Sequence, residues 1–305
     1  MTGSAADADD LVQDTFLRAL ERPPGDTERS LRPWLTKVAM NLSRDRLRRR
    51  RTQGYVGTWL PEPVAVGETV ESVEARLGPL ETTEGRYDLM QSVSYAFLVA
   101  LEALTPKQRA VLLLRDVFDY AEKEAAEALG ISPSDAKVSL HRARAKMAAW
   151  DEAGRVPRAE LPGRTRAALE AMLMALAAQD HGRVAALVAE EAVAFSDGGG
   201  EFVAARRPVR GAKNVVALLL GLARLRPVEG VDPLLLNGEP ALLLTFAPSP
   251  DDPRLAPRAV VRADLDQEGR VRRLYTVLAT SKLGCVSLAP GSARASAQDP
   301  ARRPS

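Results

Sequence analysis

Nine bases lie between Arg29 and Arg51 against a single acid, Asp45, so this stretch carries +8 (nine minus one) in a 305-residue chain whose net charge is +2. Charge this dense is a phosphate-binding signature. On a helix, Lys37, Asn41, Arg44 and Arg48 share one face with Trp34 beside it, which places an amide and an aromatic ring among cations. That combination can bond a base edge, stack on an unpaired base and hold phosphates. Cations alone would be explained as a solvated face; the amide and ring are not. Leu31, Leu35, Val38 and Leu42 recur at helical spacing and predict the buried side of the same helix.

A second constellation follows at Ala121–Leu129 and Pro133–Ala149. Gly130 suits a left-handed stop, Ile131 fills the corner, and Ser132 with Asp135 forms a capping box around Pro133 at the first helical position. This is the punctuation of a helix-turn-helix, although a plain helical hairpin shares it. If Ala136, Leu140, Ala143 and Met147 are buried, the opposite side presents Ser134, Lys137, His141 and Arg142, with Arg144 on the flank and no acid after Asp135 up to Ala149. Such a face suits the major groove of DNA.

A third set, Asp180, His181, Asp197 and Tyr275, is what the resemblance of the C-terminal region to ketosteroid-isomerase-like and cyclase-like cones implies as candidates for proton transfer and oxyanion stabilisation. Nothing among them resolves as a dyad, and at the helix–helix turn of Asp180-His181 capping is the plainer reading. No catalytic residue is assigned.

The elements that must position these groups fall into several small domains. Residues 1–51 form a first helical domain, in which Leu11, Val12, Thr15, Phe16, Ala19 and Leu20 predict the apolar face of an opening helix. Residues 52–85 lack a sustained period and read as a linker, yet Tyr55, Trp59 and Leu60 are too apolar for a spacer. Residues 86–150 return to helical periods through Leu89, Val93, Phe97, Leu101 and Leu104, then a helix at Pro106–Arg115, then the helix-turn-helix. After a second linker at 151–163, residues 164–283 read as α+β, with helices through Leu169–Leu176, Val184–Val188 and Asn214–Leu225. Strands follow at Leu234–Leu236, Ala241–Phe246, Val260–Leu265 and Arg270–Leu278, the first two joined by an Asn237-Gly238 turn. Residues 284–305 are small and polar and predict a disordered tail.

Hydrophobic residues make up 46% of the chain, a globular proportion. The single cysteine, Cys285, excludes an internal disulfide, and two histidines, His141 and His181, offer no metal-ligand cluster. Asp7, Asp9 and Asp10 stand where a signal peptide needs bases, and no apolar run approaches a membrane span. The expectation is a cytoplasmic protein with no membrane partner, metal or cofactor.

The Trp34–Arg51 block resembles the promoter −10 helix of bacterial extracytoplasmic-function sigma factors, through Trp34, Ala39, Asn41, Asp45 and Arg48–Arg51. The stretch from Leu104 to Met147 resembles the −35-binding domain of the same group. The sequence from Gly3 to Glu21 looks like the helix that docks on the clamp coiled coil of RNA polymerase. By that resemblance Asp10, Gln13, Asp14 and Arg18 meet polymerase, and its flap is a further contact. The group has another helix ahead of this one, so the resemblance implies either an N-terminally truncated first domain or a start wrongly assigned to Met1.

Trp59-Leu60-Pro61-Glu62-Pro63 resembles the linker motif of the members that carry a SnoaL-like C-terminal extension. Asp197-Gly198-Gly199-Gly200-Glu201 and Asn237-Gly238-Glu239-Pro240 look like the two motifs of that extension. The implied architecture is multidomain: an all-α sigma-2-type domain, a sigma-4-type helix-turn-helix domain, and an α+β SnoaL-like, nuclear-transport-factor-two-like cone. The implied function is to direct core RNA polymerase to promoter DNA, modulated in cis by the cone. In this reading Trp59, Leu60 and Pro61 dock on the cone, and Asp197 and Glu201 meet the arginines of Arg48–Arg51. A helix-turn-helix regulator fused to a ligand-sensing or enzymatic cone remains the alternative, and a small ligand in the cone stays open.

Overall fold

Helix α1, Ala5–Glu21, starts where the Ser4 hydroxyl accepts the Asp7 amide at 3.2 Å. The computed structural model describes residues 1–23, 30–52, 54–64, 95–151, 161–237, 239–284 and 286; Leu89, Val93, Gly238, Cys285 and the expected tail after Val286 lie outside the described residues, while Val286 itself is buried. Helix α2, Arg32–Thr52, packs beside α1, and Arg46 reaches back from it to Asp7 at 2.6 Å and Asp10 at 2.7 Å.

Both amphipathic expectations need correction here. On α1 only Leu11 and Thr15 turn inward, whereas Val12, Phe16 and Leu20 are 54%, 56% and 81% exposed. One neighbouring helix covers one narrow strip, and the rest of the apolar face stays outside. On α2 Leu42 is buried as expected and Leu35 and Val38 are half-buried, but Leu31 lies just ahead of the helix and is exposed. Met40, Ser43 and Leu47 are buried instead, because α2 is covered on a second side by the helices that follow.

Those helices are α3, Tyr95–Glu102, α4, Pro106–Leu112, α5, Glu122–Leu129, and α6, Pro133–Asp151. A capping box of Thr105 and Gln108 opens α4, which ends in a wider π turn at Leu113–Val117 closed by the Phe118 amide on the Leu113 carbonyl at 2.9 Å. The helix expected over Pro106–Arg115 is therefore present and runs to Val117, with its last turn widened. Gly130, at φ 63°, ends α5, and the Ser132 hydroxyl accepts the Asp135 amide at 3.1 Å to start α6. Met40 of α2 shares a core with Leu101, Val111, Leu129 and Leu140.

The C-terminal domain begins with α7, Leu161–Ala177, and α8, His181–Ala186, and continues with β1, Val188–Asp197, β2, Val209–Arg210, and α9, Ala212–Leu225. Strands β3, Val228–Leu236, β4, Glu239–Phe246, β5, Arg258–Leu265, and β6, Val271–Val277, complete it. The sheet order is β2-β1-β6-β5-β4-β3; β1 and β6 run parallel and every other pair antiparallel. Strand β1 is absent from the sequence reading, which gave its first residue to a helix. Exposed Glu190 and Glu191 fall at a register shift between Val188 and Val193 and hide the alternation there.

Strand alternation gives the sheet two buried faces. Leu242, Leu244, Ala259, Ala263 and Leu274 pack on α7 and α9. Ala241, Leu243, Val260, Tyr275 and Val277 point the other way and meet Leu60 and the Tyr95 and Val99 side chains of α3. The second face is therefore an interdomain surface. Gly130→Ala forces an L side chain into the left-handed region and is expected to lower stability in urea unfolding by about 1 kcal/mol; an unchanged midpoint would show that the turn can relax.

Candidate functional site

Helix α6 buries Ala136, Leu140 and Ala143, which leaves Ser134, Lys137, His141, Arg142 and Arg144 exposed. Arg144 is held across to Asp116 at 2.6 Å, so it is less free than the other four. On α2 Lys37, Asn41 and Arg48 are exposed and Trp34 is half-buried, while Arg44 leans onto the Leu129 carbonyl at the end of α5 at 3.5 Å. On α1 Gln13, Asp14 and Arg18 are exposed, and Asp10 is shared with Arg46.

The linker joins all these bodies, residue by residue. Arg50 of α2 lies 3.8 Å from the Trp59 ring centroid, and Lys282, on the 3₁₀ turn Thr280–Lys282, lies 3.1 Å from the same centroid. Leu60, fully buried, donates its amide to Asp197 Oδ2 at 2.7 Å, and its carbonyl accepts the Lys282 ammonium at 2.6 Å. The Pro61 carbonyl accepts the Tyr95 hydroxyl of α3 at 3.1 Å. Glu62 takes the Ala5 amide at the start of α1 at 2.8 Å. Val64 exchanges two bonds with Asn237, whose φ of 52° turns both its amide and its side chain towards the linker.

Asp197 is the centre of this junction, 1% exposed and bonded to Lys282 at 2.6 Å, the Leu60 and Gly199 amides, and the Tyr55 hydroxyl. Burial pulls the Lys282 ammonium down to about 8 against the opposing pull of Asp197. Burial and the Asp197 bond raise Tyr55. The glycines beside Asp197 are required by space: a Cβ at Gly198 would lie 2.4 Å from the Phe202 carbonyl oxygen, and one at Gly199 2.7 Å from Ala279 Cβ. Asp197 and Glu201 do not meet Arg48–Arg51. Glu201 instead bonds Thr280 and Ser281, because the glycine turn faces the chain after β6.

Lys282 and Tyr95 were missed as site residues, whereas Arg50 and Glu62 were named only as members of the Arg48–Arg51 run and the Trp59–Pro63 motif. Their sequence signals are weak, since each is an ordinary type in an ordinary context.

The cone candidates separate. Asp180 caps α8 through the Arg183 amide at 3.0 Å, and His181 is exposed. Tyr275 bonds Asp264 at 2.6 Å on the linker-facing side of the sheet, and Asp197 also serves the linker. The helix-facing side is lined by aliphatic side chains among the described residues. An apolar cleft of about 480 Å³ lies between α7 and the β3–β4 hairpin, where its cation, Arg166, is paired with Glu170.

Residues 1–53 match the family Sigma-70 region 2, and residues 94–147 match Sigma-70, region 4. The ECF RNA polymerase sigma factor SigJ of Mycobacterium tuberculosis (strain ATCC 25618 / H37Rv) is 33% identical over 287 residues, which cover 91% of this chain and 85% of SigJ. The chain belongs to the ECF RNA polymerase sigma factors. A crystal structure of Mycobacterium tuberculosis extracytoplasmic function sigma factor SigJ matches the sigma factor with a TM-score of 0.67 and 28% identity over 92% of this chain and 91% of that one. SigG of the same strain is 41% identical over 157 residues, covering 48% of this chain and 42% of SigG. The sigma factor directs RNA polymerase to promoters, and the alternative of a stand-alone regulator is not favoured. No helix among the described residues is long and apolar enough to cross a membrane.

Two outcomes follow from the junction. Asp197→Ala leaves a buried ammonium and a buried amide without their acceptor and is expected to cost on the order of 3 kcal/mol locally; hydrogen exchange at the Leu60 amide should accelerate more than a hundredfold, and an unchanged rate would remove Asp197 from the centre. The second concerns pH. Lys282 titrates near 8 when docked and near 10.5 when free, so release takes up a proton between these values and docking tightens as pH rises. Exchange at Leu60, corrected for its intrinsic pH dependence, should slow by about tenfold from pH 7 to 9. Tyr55, shifted upward from 10.0, opposes docking only above that pH.

Proposed function

We propose that the sigma factor reads the −10 element with α2 and the −35 element with α6, and that its C-terminal domain holds the two in a closed arrangement through the linker. Lys37, Asn41 and Arg48 serve the first surface with Trp34 as stacking platform. Ser134, Lys137, His141 and Arg142 serve the second. Gln13, Asp14 and Arg18 of α1, with the exposed Phe16 and Leu17, form the face for the polymerase clamp; the helix-turn-helix domain meets the flap.

One observation carries the regulatory reading: α2 and the helix-turn-helix share a core. Thr36 bonds the Tyr120 hydroxyl at 2.8 Å, Arg44 reaches Leu129, and Met40 is buried among α3–α6. Since α6 follows α5 after one turn, the two reading faces lie on the order of 20–30 Å apart, a few helix widths. The −10 and −35 elements are separated by roughly 25 base pairs, about 85 Å of duplex. Both cannot be engaged until α2 leaves α5. Trp59, Leu60, Pro61, Asp197, Gly198–Gly200 and Asn237 form the contacts that resist this step, and Gly238 lies outside the described residues.

The C-terminal domain acts in this reading as a docking module and not as a catalyst, because Asp197 and Tyr275 are committed to the linker-facing side.

Transcription in vitro with core polymerase tests the proposal. Asn41→Ala should leave polymerase binding intact and lower open-complex formation by about 1–3 kcal/mol, the scale of one base contact; lost core binding would assign Asn41 to polymerase. Asp197→Ala should raise promoter output several-fold by releasing the closed state. Output equal to that of the parent chain at every salt concentration would defeat the regulatory reading and leave promoter recognition standing.

A further inference from the structure

Arg206, Arg207, Arg210 and Lys213 form the most conspicuous group of unused cations in the C-terminal domain. Residues 202–228 hold six bases and no acid, in a chain whose net charge is only +2. These four are exposed, and none forms an ion pair with any described residue. Many cations elsewhere are engaged, Arg46 with Asp7, Arg50 with Glu102, Arg144 with Asp116, Arg254 with Asp252, Arg270 with Asp266 and Lys282 with Asp197, and the other exposed runs lie on the reading helices α2 and α6.

The fold gives no reason for them. Arg210 lies on the short edge strand β2, and Lys213 stands in the first turn of α9, where the helix field favours anions and disfavours a cation. Like charges this close repel one another unless an outside anion screens them.

Their position supplies the anion's identity. The loop bearing them lies on the linker: a Cβ at Gly57 would be 3.9 Å from the Ala205 carbonyl and from Arg206 Cα. Two residues on, Trp59 carries the Arg50 guanidinium at 3.8 Å. Chain reach therefore puts the cationic end of α2, with exposed Arg48, Arg49 and Arg51, within roughly 20 Å of Arg206. That span corresponds to about six nucleotide steps along one strand.

We propose that Arg206, Arg207, Arg210 and Lys213 bind the phosphates of double-stranded promoter DNA and continue the track begun by Arg48, Arg49 and Arg51. The C-terminal domain is then a DNA-binding surface as well as a docking module. The contact is to backbone and carries no sequence preference. It does not depend on the closed arrangement being regulatory.

The test uses the full chain and fluorescent duplexes of unrelated sequence, titrated from low to high salt. R206A/R207A/R210A/K213A should bind every duplex at least tenfold more weakly at low salt. Its slope of log affinity against log salt should be shallower by about two to four units, near one for each lost phosphate contact. R206K/R207K/R210K, which keeps the charge, should retain the parent slope. Parallel slopes for the alanine and parent chains overturn the proposal, as does an equal loss in the lysine chain, which would mark a structural effect. Weakened binding to core polymerase without DNA, at unchanged duplex slope, would assign the patch to an acidic protein surface and overturn it too.

Discussion

The contact between Asp197 and Lys282 governs the arrangement of everything N-terminal to the cone. Both side chains are buried, and a buried ion pair recovers its desolvation only where the remaining lone pairs and protons also find partners. Here those partners come from the linker: the Leu60 amide and carbonyl and the Tyr55 hydroxyl complete the pair, while Trp59 lies against the ammonium. The cone's charge pair is thus unfinished without the linker. Because Arg50 lies over the same indole, the end of α2 is positioned by a lysine more than two hundred residues away in sequence.

A second polar cluster on the same sheet face makes the interface strong in geometry but modest in net energy. Arg262 pairs with Glu239 and lies 4.5 Å from the Tyr95 ring, yet its Nε and Nη1 are buried without hydrogen-bond partners among the described residues. Burial raises Glu239 in spite of that arginine. Each such group offsets part of what Leu60, Tyr95 and Val99 contribute by leaving water. An all-aliphatic face would hold α3 and the linker more firmly. It would also open less readily.

The local features of the sequence were legible because short-range physics decides them. Gly130, Ser132 and Asp135 set the helix-turn-helix from neighbouring residues, and the exposed face of α6 followed from its apolar period. The cationic face of α2 was legible for the same reason. Its buried face was not, because α2 is covered on two sides and Met40 answers to helices over fifty residues downstream. Strand β1 escaped because Glu190 and Glu191 interrupt the period, and its pairing with β6 is set more than seventy residues away. The linker motif announced that Trp59 and Leu60 need cover. Its partner Lys282 could not be named, since that residue takes its meaning from position alone.

In the proposed reading, closure and promoter engagement are linked through differential binding. A partner opens the chain only by as much as it prefers the open state, so polymerase and DNA together must supply what the linker junction and the α2–α5 contact hold. The exposed apolar residues of α1 do not enter that balance, since they are uncovered in the closed chain already. The faces of α2 and α6 are likewise accessible, so either could make a first contact before opening. On that proposal, what closure forbids is the second contact at promoter spacing. A lock that leaves both reading surfaces free but sets their separation therefore acts on the promoter as a pair of sites, and leaves binding to either half alone unchanged.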